Sequence, residues 1–194
     1  MSVTRLETEE IQGIRVLRMV SEDGMNRLTR EWVLALTESF SELAHTASAL
    51  VITGNAHCFS AGAELREIAA LDAPSAFAFS KMGQALMGAI ENFPAPVYAA
   101  VSGYCMGGGF DLALACHHRI ASPHAIFGHR GAALGLLTGW GGTQRLPRLI
   151  GKSAAQQIFV AAEKLNAERA LRLGLVDAIA ADPVAEAIRQ IGTS

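Results

Sequence analysis

Short apolar strand-like runs that alternate with amphipathic helix-like runs predict an α/β fold, with helices covering a parallel sheet. Two further observations support this class. The chain has 194 residues, of which 51% are hydrophobic and 18% charged, enough to build one substantial core but not two. In addition, Ser60-Ala61-Gly62-Ala63-Glu64-Leu65 and Gly103-Tyr104-Cys105-Met106-Gly107-Gly108-Gly109-Phe110-Asp111 are glycine-bearing turns, each between an apolar run and a helical one. In an open parallel sheet, ligand sites lie where strands give way to helices, and both turns fall at such places.

The elements follow in order along a single domain, 1–194. Thr4 to Glu9 and Ile14 to Met19 read as short strands around a Gln12-Gly13 hairpin turn. Val33, Leu36, Phe40 and Leu43 recur at helical spacing and predict a helix from Arg30 to His45, followed by a buried strand over Ala49 to Gly54. Pro74 behind Asp72 suits a helix start; Phe79, Met82, Leu86, Ala89 and Phe93 form the apolar stripe, and Pro94 and Pro96 end it. A strand over Val97 to Ser102, a helix from about Gly108 to Ala115 and a strand over Arg119 to Ser122 come next. Thr143 to Leu149, Ser153 to Ala161 and Ala167 to Arg172 then read as helices.

Composition excludes several function classes. The net charge is −2 and the basic residues are scattered, which supplies no footprint for nucleic acid or for an anionic membrane. Arg5, Glu7, Glu9 and Glu10 exclude a secretory apolar segment at the amino end, and a cytoplasmic protein is expected. Cys58, Cys105 and Cys116 lack metal-ligand spacing and read as buried thiols, so no metal site is expected. His117-His118 is left without a role.

The glycine turns name a chemistry. Backbone N–H groups at the open start of a helix have no intrahelical partner and can point at a carbonyl oxygen that gains negative charge. The two turns read as two halves of one oxyanion hole. For a lone Gly-Gly-Gly, tight helix-on-strand packing would be the simpler explanation; two matched turns favour function.

Together with Leu50 to Gly54, Cys58 to Leu65, Pro94 to Asp111, Gly139-Trp140-Gly141-Gly142-Thr143-Gln144-Arg145-Leu146 and Ala170 to Asp177, the chain resembles the enoyl-CoA hydratase/isomerase family, the crotonases. The motifs cover about Val3 to Asp177, leaving a short helical tail over 178–194. The resemblance implies a crotonase-like spiral of repeated ββα units with a shortened C-terminal helical part. It also implies a coenzyme A thioester as substrate, no covalently bound cofactor, and a homotrimer or hexamer. Carried over by position, the oxyanion donors are the N–H groups of Ala63 and Gly108. Met25-Asn26-Arg27-Leu28 resembles the segment that offers backbone atoms to the nucleotide, with Arg27 in reach of a phosphate. Ala61 and Leu65 flank the pantetheine path, Gly62 and Gly107 belong to the substrate-binding set, and Glu64 takes a structural place.

The chain departs from the family at two positions. Asp111 stands where the hydratases of this family carry a catalytic glutamate, and it is one methylene shorter, a retraction of about 1.5 Å. It reads either as a proton carrier or as an acidic residue complementing the dipole of its helix. Gly131 stands at the position of the second acid/base glutamate and can neither hold nor release a proton. Beside it, His129 is a candidate proton shuttle and Arg130 a candidate for holding a carboxylate or CoA phosphate. The expected activity is that of an enoyl-CoA hydratase/isomerase-type enzyme using Ala63, Gly108 and Asp111. Isomerisation, decarboxylation and thioester hydrolysis are the alternatives, along with a non-catalytic acyl-CoA-binding subunit.

Overall fold

The computed structural model describes residues 4–46 and 49–193. Val3, the expected start of the core, lies outside the described residues. β1 (Arg5–Ile11) and β2 (Ile14–Val20) form an antiparallel hairpin in which Ile11 faces Ile14. Its turn places Gln12 at φ 55° and Gly13 at φ 77°, the left-handed pair that a two-residue hairpin requires. β3 (Arg27–Leu28) leads to α1 (Arg30–Leu43), whose first turn is capped by Thr29 accepting from the Trp32 N–H. Trp32, Val33, Leu36 and Phe40 bury one face of α1, as the periodicity predicts, but the helix stops two residues before His45.

Three successive strand–strand–helix units follow. β4 (Leu50–Thr53) and β5 (Cys58–Ser60) run through the short β6 (Gly62–Ala63) into α2 (Leu65–Ala69) and α3 (Ala73–Glu91). Asp72 and Ser75 close a capping box on α3, with Pro74 inside its first turn. β7 (Val97–Val101) and β8 (Tyr104–Met106) lead into α4 (Gly108–Ala115). β9 (His118–Ala121) and β10 (Ile126–Gly128) lead through a 3₁₀ turn at Gly131–Leu134 into α5 (Gly142–Ile150) and α6 (Lys152–Val160). The chain continues with β11 (Lys164–Asn166), α7 (Ala167–Arg172), β12 (Ala178–Ile179) and α8 (Pro183–Ile191).

Each unit gives its first strand to one sheet and its second to another. The larger sheet has the order β1-β2-β4-β7-β9-β12 and is parallel from β2 onward. The smaller has the order β11-β10-β8-β5, parallel among β5, β8 and β10. Both sheets advance by one strand per unit in the same direction, which is the expected spiral of ββα repeats. The sequence reading foresaw one sheet, because three-residue strands such as β5 and β8 are too short to show a period. Fully buried side chains including Phe40, Phe59, Phe110 and Phe127 form the main core. In the tail, Ala187 and Ile188 of α8 pack on Ile14, Val16, Val51 and Tyr98.

The Ala170 to Asp177 motif serves the fold. Arg119 is buried and donates from Nε to the Leu175 carbonyl (2.7 Å) and from Nη1 to that of Cys116 (2.6 Å), while Asp177 accepts the Arg119 N–H at 2.7 Å. These bonds tie the end of α4 to the edge of the large sheet.

Candidate active site

The site arises from three parallel strand ends lying side by side. In the small sheet Ser60 pairs with Cys105, and Gly128 with Met106, so the residues that follow β5, β8 and β10 emerge together. They are Ala61–Gly62–Ala63, Gly107–Gly108 and His129–Arg130–Gly131. A bond from the Gly107 N–H to the Gly128 carbonyl (3.0 Å) joins two of them.

The two glycine turns are in direct contact. A Cβ on Gly62 would lie 2.6 Å from the Met106 carbonyl oxygen and 2.9 Å from the Gly108 nitrogen, and one on Gly108 would lie 3.3 Å from the Ala63 nitrogen. Gly62 at φ 95° and Gly107 at φ 52° both occupy the left-handed region that favours glycine. Gly108 is the first residue of α4, and Gly107 before it supplies no side-chain cap. Among the described residues, neither the Ala63 nor the Gly108 N–H donates to a turn, loop or cap bond. Two adjacent backbone donors therefore border the same space.

That space is a cleft of about 410 Å³. The predicted residues Ala61, Ala63, Leu65, Gly107 and Gly108 line it, and so do Asp111, His129, Arg130 and Gly131. Phe79, Met106, Leu136, Leu137 and Trp140 make most of the remaining wall apolar. Such a wall suits an acyl chain and strengthens any charge interaction by excluding water.

Asp111 lies one turn into α4 with its side chain 1% exposed. Its Oδ2 accepts a hydrogen bond from the Thr138 hydroxyl, and its Oδ1 lies 3.3 Å from Nε2 of His129, whose side chain is 6% exposed. The imidazole packs between Phe110, at 5.2 Å between ring centres, and Phe159, at 5.1 Å. A Cβ on Gly142 would stand 2.1 Å from Oδ1 and 3.0 Å from Nε2, so the start of α5 can close over the pair because it is glycine.

The structure does not bring every predicted residue to the cleft. Asn26 is fully buried at φ 48°; its Nδ2 donates to the carbonyls of Cys58 (3.0 Å) and Phe59 (3.2 Å), and its own carbonyl accepts from the Ser60 hydroxyl at 2.7 Å. The side chain of Leu28 belongs to the core. Arg27 is engaged by Asp23 and lies 3.8 Å from Glu64, which also caps α2 by accepting from the Arg66 N–H. Gly62 sits beneath the cleft wall, where it allows the two turns to meet. Arg130 is exposed at the cleft edge.

Gly131 closes a turn. Its carbonyl accepts the Leu136 N–H at 2.8 Å, and a Cβ on it would lie 2.7 Å from the Leu136 carbonyl oxygen. A side chain at 131 therefore requires this turn to move.

Sequence reasoning missed Thr138, Trp140 and Gly142 as site residues. Trp140 is 3% exposed and donates from Nε1 to the Phe79 carbonyl at 3.2 Å; its ring edge backs Gly108, where a Cβ would lie 2.5 Å from Cζ3. The Gly-Trp-Gly-Gly run marks a close approach, but its partner on α4 becomes visible only in three dimensions.

The family profile described as enoyl-CoA hydratase/isomerase matches residues 9–192 of this chain. The crotonyl-CoA hydratase of Syntrophomonas wolfei subsp. wolfei is 36% identical over 182 residues, covering 92% of this chain and 70% of that protein. The fatty acid oxidation complex subunit alpha of Shewanella halifaxensis is 37% identical over 188 residues, covering 93% of this chain but 26% of that subunit. Among solved structures, the enoyl-CoA hydratase of Thermoplasma volcanium superposes with a TM-score of 0.91 at 32% identity, covering 97% of this chain and 76% of that one.

Proposed function

The chain belongs to the enoyl-CoA hydratase/isomerase family and has its crotonase-like fold, and from this premise we propose that it stabilises a thioester enolate between the N–H groups of Ala63 and Gly108. The observation that carries the proposal is the contact between the two glycine turns. It sets two backbone donors beside one another at the wall of an apolar cleft that also holds a buried carboxylate. When a proton leaves or joins the α-carbon of an acyl-CoA, negative charge gathers on the thioester oxygen. A donor already aimed there contributes about 3 kcal/mol of transition-state stabilisation. The dipole of α4, whose first residue is Gly108, adds potential of the same sign.

In this reading Asp111 moves the proton. It lines the cleft one helical turn beyond Gly108, and the Thr138 hydroxyl fixes one of its oxygens. Ala61 and Leu65 flank the path of the pantetheine arm, and Arg130 at the cleft edge serves the CoA phosphates. The coenzyme A thioester is the substrate and no cofactor is covalently attached. We place the protein in the cytoplasm as a homotrimer or hexamer; sedimentation should then give a multiple of three times the 20.5 kDa chain mass, and a monomer would remove that assignment.

A lyase, hydrating a 2-enoyl-CoA, is the reading that the similar proteins' names favour. Gly131 favours a second one, isomerisation, because a double-bond shift needs one acid/base device where hydration in this family employs two carboxylates. The test is to incubate the purified protein with 2-enoyl-, 3-enoyl-, 3-hydroxyacyl- and malonyl-CoA while product mass and conjugated double-bond absorbance are followed. Hydration or isomerisation that Asp111→Asn slows by about a hundredfold supports the proposal. Tight binding without turnover of any thioester would leave a non-catalytic acyl-CoA-binding subunit instead.

A further inference from the structure

We propose that Asp111 and His129 act as one proton-holding pair, in which His129 supplies the proton capacity that position 131 lacks. The inference rests on the reading of the cleft as a thioester enolate site. His129 acts through Asp111 rather than on the substrate.

Four features of the structure support the pair. First, Asp111 Oδ1 and His129 Nε2 lie 3.3 Å apart, both fully shielded, and neither has a hydrogen-bond partner among the described residues. Second, the other oxygen of Asp111 is held by Thr138, which leaves Oδ1 as the free one. Third, the backbone at Gly142 closes over both atoms, so close that a Cβ there would lie 2.1 Å from Oδ1. Fourth, from α4 the ring meets Asp111 and Phe110, from α5 it meets Gly142, and from α6 it meets Phe159; of these only Asp111 titrates. Arg130, the chain neighbour, is exposed.

With Asp111 ionised and the imidazole neutral with its hydrogen on Nδ1, the two facing atoms form a proton acceptor, and one added proton is shared between them. A lone carboxylate holds a proton weakly near neutral pH, whereas an imidazole beside it holds one well. In a double-bond shift, the α C–H bond breaks, its electron pair enters the dienolate, and the proton passes to the pair. The same proton then forms the γ C–H bond as the pair of the former double bond closes onto it and the thioester carbonyl is restored. In hydration, water gives its proton to the pair as its oxygen bonds the β-carbon, and the pair returns a proton to the α-carbon. Either cycle begins and ends with the pair empty and needs no co-reactant.

The experiment uses crotonyl-CoA and 3-hexenoyl-CoA as probes, with His129→Gln as the variant. The parent kcat/KM is followed against pH. In His129→Gln, kcat should drop about a hundredfold with KM little changed, and the acid limb of the pH profile should differ from the parent's. Retention of kcat within about threefold, with the same acid limb, would overturn the pair while leaving the enolate site standing. A second measurement does not depend on turnover or on the folding of that variant: histidine ¹⁵N resonances are followed against pH in the parent and in Asp111→Asn. Loss of the carboxylate should alter the pH response of the His129 resonances, and a response identical to the parent's would overturn the pair. Absence of turnover in the parent would count against the enolate site, and the titration would still decide the pair.

Discussion

Replacing Gly108 with alanine adds one methyl at the point where the two turns, the indole and the cleft converge. The new Cβ would lie 2.5 Å from Cζ3 and 2.8 Å from Cε3 of Trp140, and 3.3 Å from the Ala63 nitrogen. The indole cannot simply retreat. Its Nε1 is bonded to the Phe79 carbonyl, and it lies so close to α3 that a Cβ on Gly83 would come within 2.1 Å of Nε1. Overpacking of this kind costs about 1–3 kcal/mol of stability. A methyl at the edge of the paired donors also displaces the substrate oxygen, and loss of one such donor lowers kcat by about 10²–10³. Urea unfolding would read the first effect, and kcat and KM with crotonyl-CoA the second. Adding Trp140→Phe removes the indole edge that the methyl strikes, so the double variant should regain stability without regaining kcat. A Gly108→Ala protein with kcat within about threefold of the parent would refute the assignment of this N–H to the enolate.

Asn26→Ala should cost about 2–4 kcal/mol in urea unfolding, because it strips a buried donor from the Cys58 and Phe59 carbonyls and places alanine at φ 48°; a loss below about 0.5 kcal/mol would show that these bonds contribute little. The three thiols should resist a disulfide reagent at pH 8 until the protein is unfolded. Burial pushes Cys58 up to about 11 and Cys116 up to about 12, and raises Cys105 as well, so none is a thiolate in the folded chain. Release of a thiol from the native protein at the rate of a free cysteine would contradict that burial.

Much of the fold is legible along the chain, for reasons that differ between elements. The α1 stripe and the Asp72-Pro74 start of α3 are local signals, and both elements form where the periodicity places them. The β5, β8 and β10 strands escape such reading, since three residues show no alternation and these strands exist only because parallel neighbours pair with them. A similar limit applies at the site. Ala63, Gly108 and Asp111 fall in recognisable turns, whereas the clamp that the Asn26 side chain makes on the carbonyls of β5 leaves no local signal.

By itself the sequence determined the alternating α/β order, the two glycine turns and the family. The tertiary structure decided that the turns touch, that Trp140 backs one of them, and that His129 turns its nitrogen toward Asp111 beneath a glycine at 142. The division has a physical cause. Backbone conformation and burial patterns are encoded over a few neighbouring residues, while the distance between Asp111 and His129, 18 positions apart, depends on the register of β8 against β10 and on the seating of α5 across both.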